Sequence, residues 1–146
     1  MKVVASNRRA RFDYEITDTV MAGIILSGQE VKSCRLGHVD MSGAYVSFQK
    51  NTVTLKHLKI SLYPFASPID GYEPGRDREL LLKKEESIRF QELANQKGVT
   101  IIPLEVQAGK YIKILLGIAK GRKTIDKRRV IKERDIVKRM KKGEEV

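Results

Sequence analysis

Two apolar runs, residues 99–106 (VTIIPLEV) and 111–119 (YIKILLGIA), stand on either side of Gln107-Ala108-Gly109-Lys110. Short runs rich in Ile, Val and Leu, separated by a Gly-containing connection, predict a β-hairpin. This pair constrains the fold more than any other stretch, because so much apolar strand surface has to be covered. Pro103 has no N–H to give to a ladder, which predicts an edge or a bulge within the first run.

The rest of the chain supplies more short strands. Phe12, Tyr14 and Ile16 alternate with Asp13 and Glu15, and residues 23–27 (GIILS) read as strand until Gly28 breaks them. Residues 44–48 and 52–58 alternate about Lys50-Asn51 and predict a second hairpin, with Val53, Leu55 and Ile60 inward. His57 falls at the core or its rim rather than at a ligand site. Leu80 to Lys84 reads as a further strand.

Helices are few. Residues 29–36 (QEVKSCRL) form a short one stopped by Gly37, with Val31, Cys34 and Leu36 toward the core. Glu30, Lys32, Ser33 and Arg35 are then outward or on its flanks. Residues 85–96 form a longer one, carrying Ile88, Phe90, Leu93 and Ala94 and closed by Gly98. Residues 64–79 hold Pro64, Pro68, Pro74, Gly71 and Gly75 and read as a long loop. Helices do not alternate regularly with strands, so a doubly wound parallel sheet is not expected. The expected fold is mainly β: an antiparallel barrel of about six strands with flanking helices, since closure removes exposed edges.

Charge is distributed unevenly. Residues 120–146 hold 12 Lys and Arg against five acids, a net of +7 out of +11 for the chain. Like charges at this density repel, and a polyanion relieves them. On a helix Val130, Ile136, Val137 and Met140 fall within one arc, while Ile131 falls outside it. So short an apolar face does not support an isolated helix in water. The tail is therefore expected to be disordered when free and helical when bound, giving two units, 1–122 and 123–146. The alternative is a solvated terminal helix packed on its own domain. A sequence pI near 9.8 points to nucleic acid or an anionic membrane. The tail's apolar arc has no Trp, Phe or Leu, which disfavours the membrane.

Several chemistries lack their residues. Two histidines and a single cysteine, Cys34, are too few for a zinc cluster, and one cysteine cannot close an internal disulfide, so neither is expected, and Cys34 reads as a small buried hydrophobe. There is no GxxxxGK[ST] loop, no strand-linked GxGxxG and no paired acids for two metals. A nuclease built from distant acids is the residual enzymatic reading. Binding is favoured over catalysis, with no cofactor and no metal. The absence of an apolar leader or a long apolar run fits the cytoplasm.

Specific strings carry a resemblance. NRRARFDYEI at 7–16, AGIILSGQEVKSCRLGHVDMSGAYV at 22–46, ISLYPF at 60–65, RELLLKKEE at 78–86, KGVTIIPLEV at 97–106 and IKILLGIAKGRKTIDKR at 112–128 occur in this order. Over essentially its whole length the chain resembles the SmpB (small protein B) family. The resemblance implies an OB-like barrel with flanking helices that is not an enzyme; a monomer is the expected state. It implies binding to the tRNA-like domain of transfer-messenger RNA, with alanine-charged RNA carried by EF-Tu to stalled ribosomes. The tail would enter the empty mRNA channel at the small-subunit decoding centre.

Carried over by position, the RNA face would comprise Asn7, Arg8, Arg9 and Arg11, then Glu30, Lys32, Ser33 and Arg35, then Lys120, Gly121 and Lys123. Glu30 would orient a neighbouring cation or accept from a base or ribose, and Gly121 would allow close backbone approach. The decoding-site contacts would be Asp126, Lys127 and Arg128, with Arg134 and Lys138 beyond them. Ile125 stands where the family usually has an aromatic or histidine before DKR, so any stacking there is lost, and either apolar packing substitutes or the contact is weaker. Lys59 stands where a histidine is common. Rival readings are a generic RNA-binding OB module and a protein whose tail docks on an acidic protein surface.

Overall fold

In chain order the elements are β1 (Lys2–Ser6), α1 (Arg8–Asp13), β2 (Tyr14–Ile24), α2 (Gly28–Arg35), β3 (Val39–Asp40), β4 (Tyr45–Gln49), β5 (Thr52–Lys56), β6 (Lys59–Ile60), β7 (Arg78–Leu81), α3 (Lys84–Ala94), β8 (Val99–Ala108) and β9 (Ile112–Gly121). The structure is a computed structural model and describes residues 1–49, 52–65 and 71–121. Among these residues seven strands form one antiparallel sheet in the order β1-β8-β9-β2-β7-β5-β4, and β3 pairs with β6 in a separate ribbon. At the far end of the sheet β4 returns to pack against β8, rolling the sheet into the expected OB-like barrel.

The β8–β9 hairpin is its spine. Ile112, Ile114, Leu116 and Ile118 alternate into the barrel interior beside Ile101 and Val106. The opposite face is also covered: Ala119, Ile102 and Leu104 pack with Ala10 of α1, joined by Ile16 and Leu115. Burial on both faces is why these runs read as nearly continuous apolar sequence rather than as alternation. Gly117 sits in this second layer, where a Cβ would lie 2.7 Å from Leu104 Cδ1 and 3.1 Å from Ile16 Cγ2. Leu104 is itself buried and has little room to yield. Gly117→Ala is expected to destabilise the fold by about 1–3 kcal/mol through overpacking, read as a lowered urea midpoint.

Six of the seven strands of the main sheet coincide with predicted strands; β1 does not. It pairs with β8 from Lys2↔Ala108 to Ser6↔Glu105, which makes β8 an interior strand. Pro103 is accordingly at a bulge, where the β8–β9 register shifts between Pro103 and Glu105, and not at an edge. Residues 8–13 are helical, so Phe12 and Asp13 lie on a helix and not on the expected strand. Asn7 caps that helix by accepting from the Ala10 N–H at 3.3 Å. The strand begins at Tyr14 and runs unbroken to Ile24, with one bulge between Ile16 and Asp18. Gly28 opens α2 rather than merely ending a strand, because Ser27 and Glu30 form a reciprocal capping box.

Smaller shifts are local. β7 starts at Arg78, inside the stretch read as loop. α3 ends at Ala94 with Asn95 as its cap, and Gly98 takes φ +78° in the turn beyond. Phe90 is fully buried, Ile88 on the same helix is about half exposed, and so is Leu36, which was expected toward the core. His57 is exposed in a turn at φ 63°, its ring 5.5 Å from Tyr45. Among the described residues no helix is long and apolar enough to cross a membrane. The predicted behaviour of the tail lies outside the described residues.

Candidate nucleic-acid interface

α2 buries Glu30, Ser33 and Cys34 and exposes Lys32 and Arg35. The expectation that Glu30 and Ser33 point outward or lie on the flanks is therefore corrected, since both are fully buried. Ser33 Oγ donates to the Ser61 carbonyl at 2.6 Å, fastening the following segment to the helix. Glu30 is the acceptor of a buried ion cluster. Arg78 approaches its Oε2 with Nε at 3.0 Å and Nη2 at 2.6 Å, and Arg76 Nη2 donates to Oε1 at 2.5 Å. Arg78 is fully buried and spends its other donors on the carbonyls of Leu58, Pro74 and Arg76. Tyr72 Oη donates to the Ile60 carbonyl at 2.7 Å.

The electrostatics agree with this arrangement. Burial alone would raise the Glu30 carboxyl. The hydrogen bonds from Arg76, the Ser27 N–H and Arg78, with the charge of Arg78, outweigh it and bring the carboxyl down to about 2. The carboxylate is thus ionised at neutral pH and ties residues 72–78 to α2. Burial pushes the Cys34 thiol up to about 12, consistent with a small apolar role. Arg78 is the residue that sequence reading missed most completely, having assigned it to a loop.

On α1, Arg8, Arg9 and Arg11 are exposed. Arg9 pairs with Asp13 at 3.2 Å and lies 4.7 Å from the Phe12 ring centroid. Asn7 is used structurally: its Oδ1 caps α1 and its Nδ2 donates to the Pro103 carbonyl at 3.0 Å. Between α1 and the turn at Ser42–Tyr45 lies a groove of about 490 Å³, lined also by Tyr14, Thr100 and Ile102.

Lys120 and Gly121 are exposed at the end of β9, opposite Glu15 and Tyr14 of β2, so this end of the sheet adjoins the end of α1. Among the described residues, chain neighbours apart, no atom lies within 4 Å of where a Gly121 Cβ would be. The α2 cations stand toward the other end of the hairpin, where Arg35 Nη2 reaches the Lys110 carbonyl at 3.5 Å. At about 3.3 Å per strand residue, Lys110 and Lys120 are roughly 30 Å apart. Exposed cations thus stand at both ends of the hairpin, those of α1 beside the layer of Ile102, Leu104 and Ala119 and those of α2 on a helix anchored in the barrel core through Cys34. An extended polyanion is long enough to meet both groups, whereas a small anion would meet only one. Lys123, Asp126, Lys127, Arg128, Arg134 and Lys138 lie outside the described residues.

A rolled antiparallel sheet with cationic helices on its surface places the chain in the class of small nucleic-acid-binding β-barrels. The family follows from comparison: the family model described as SmpB protein matches residues 4–145, and the chain belongs to that family. It is 47% identical over 132 residues to the SsrA-binding protein of Chlorobaculum tepidum, covering 89% of this chain and 83% of that protein. The SsrA-binding protein of Coprothermobacter proteolyticus is 43% identical over 144 residues, covering 97% and 95% of the two chains. A solved structure described as "tmRNA-SmpB: a journey to the center of the bacterial ribosome" superposes with a TM-score of 0.70 at 44% identity, covering 82% of this chain and 84% of that chain.

Proposed function

We propose that this chain binds the tRNA-like domain of transfer-messenger RNA and delivers it to stalled ribosomes for trans-translation. The observation that carries the reading is membership of the SmpB family across residues 4–145, on a chain with exposed cations at both ends of its β8–β9 hairpin. Arg8, Arg9, Arg11, Lys32, Arg35, Lys120 and Lys123 are the direct contacts. Asn7, Glu30 and Ser33 act beneath them: the first caps and anchors α1, the other two hold α2 and the segment it carries. Gly121 leaves the backbone open to approach beside Lys120. Asp126, Lys127, Arg128, Arg134 and Lys138 engage the decoding centre of an empty small subunit. The protein works by binding, not by catalysis, as a cytoplasmic monomer that meets EF-Tu only through the shared RNA.

The test compares the full chain with residues 1–122 for binding to the tRNA-like domain across a salt series, with an unrelated folded RNA as competitor. Both should bind alike and selectively, with similar log–log salt slopes of about −0.7 to −0.9 per phosphate neutralised. If truncation abolishes binding or sharply flattens the slope, the tail is the RNA site and the division of labour is wrong.

A further inference from the structure

Phe65 is 82% exposed, and the cations of α2 connect it to a second exposed aromatic, Tyr111, at 66%. Its ring meets Tyr63 edge-on, with centroids 5.5 Å apart at 68°. Lys32 Nζ lies 5.7 Å from the Tyr63 centroid. At the other end of α2, Arg35 reaches the Lys110 carbonyl, and Lys110 Nζ is 5.7 Å from the Tyr111 centroid. Cations therefore occupy the middle of this face and aromatic rings its two ends.

The arrangement is held in place. Gln29 Oε1 accepts from the Tyr63 N–H at 2.9 Å, and Ser33 Oγ donates to the Ser61 carbonyl at 2.6 Å. Two side chains of α2 thus pin the segment that presents Tyr63 and Phe65. A single exposed apolar side chain is ordinary on a protein surface. Two exposed rings at opposite ends of one cationic helix face need a ligand with both flat apolar faces and negative charge, and unpaired nucleotides have both. A duplex hides its base faces and offers only phosphate and ribose, so it would leave the rings unused.

We propose that the α2 face is a platform for unpaired nucleotides: bases stack on Phe65 and on Tyr111, while Lys32, Arg35 and Lys110 neutralise the intervening phosphates. This rests on the RNA-binding reading above and specifies which part of a structured RNA the barrel grips, namely looped and unstacked nucleotides. Stacking of this kind tolerates any base, so the platform contributes affinity and position rather than sequence choice.

The experiment uses the full chain with Phe65→Ala, Tyr111→Ala, Phe65→Trp and Lys32→Ala. Its probes are the tRNA-like domain, an unstructured single-stranded RNA and an RNA duplex. Each aromatic-to-alanine change should weaken binding to the tRNA-like domain and the single strand by about 5- to 100-fold, with duplex binding unchanged. The salt slope should not move, because a ring releases no counterion. Lys32→Ala should make the slope shallower by about one phosphate. Phe65→Trp should bind like the wild type. Phe65 is exposed, so an unchanged melting temperature is expected and separates lost stacking from lost folding.

Wild-type affinity in both alanine variants overturns the platform, as does an equal loss on duplex RNA. RNA binding that survives Phe65→Ala while ribosome rescue fails would assign the ring to a protein surface and also overturn it. If the wild type shows no preference for the tRNA-like domain, the functional reading fails. The platform is then judged by the Phe65 effect on the single strand alone.

Discussion

Replacing Glu30 with alanine should cost the fold about 3–5 kcal/mol, because it leaves two guanidinium groups without their counter-charge. Arg78 is fully buried and has nowhere to move its charge, while Arg76 is partly exposed and can turn to water. The loss should therefore fall on the corner where β7 and residues 72–78 meet α2. A urea titration should show a lower midpoint with an unchanged slope. A surface glutamate that only touched RNA would change stability by no more than about 0.5 kcal/mol, so a wild-type midpoint would return Glu30 to the surface role that the sequence suggests.

The pH dependence gives a second reading of the same cluster. The folded-state carboxyl is held at about 2, against an ordinary value of 4.5. A depressed carboxyl contributes stability that is fully present above about 4.5 and is lost as pH falls toward 2. The difference between the wild type and Glu30→Gln should therefore be full at pH 7 and close over that window. RNA affinity should fall in the alanine variant as well, but only as α2 loses its anchored position.

Charge type misled the sequence reading at this point, although the spacing contained the answer. On a helical projection Glu30 lies between Ser33 and Cys34, about 60° from one and 40° from the other. Once Cys34 is inward, Glu30 is at the centre of the buried arc. Ser27 three residues earlier also completes a capping box, a local signal that fixes where the helix starts. The partner was not readable, because Arg78 is 48 positions away in a stretch whose prolines and glycines mark a loop.

The β8–β9 hairpin was legible because it is buried on both faces and needs no context to read as strand. β1 was not, because its five residues bury little by themselves and become a strand only against the free edge of β8. α1 has the same dependence: six residues with one buried side chain, Ala10, are helical because Asn7 caps them and Ile102 and Leu104 receive them. The basic residues on that helix were found through composition and the family strings. The aromatic rings beside α2 were passed over because isolated exposed aromatics carry no periodic signal.

Replacing both Lys127 and Arg128 with alanine should leave binding to the tRNA-like domain within about two-fold of wild type and lower tagging on stalled ribosomes by about 100-fold or more. Two charge-assisted contacts at about 1.5–3 kcal/mol each account for an effect of that size. The separation follows from how the RNA contacts are spread. Lys120 and the α1 arginines stand at the end of β9 beside Tyr14, whereas the α2 cations lie some 30 Å away along the hairpin. The barrel keeps Arg8, Arg9, Arg11, Lys32 and Arg35 when the tail pair is neutralised, so its grip on RNA loses little charge. The tail keeps most of its remaining surplus, so a purely non-specific attraction to ribosomal RNA should survive the double change with only a modest loss. A large loss of tagging with RNA binding intact therefore requires position-specific contacts at residues 127 and 128. Ile125 beside them brings no ring to stack and no titratable group, which leaves the cationic pair to supply the specificity. Equal loss of RNA binding and tagging would mean that barrel and tail grip one RNA surface together, and a single-site description would replace the two-site one.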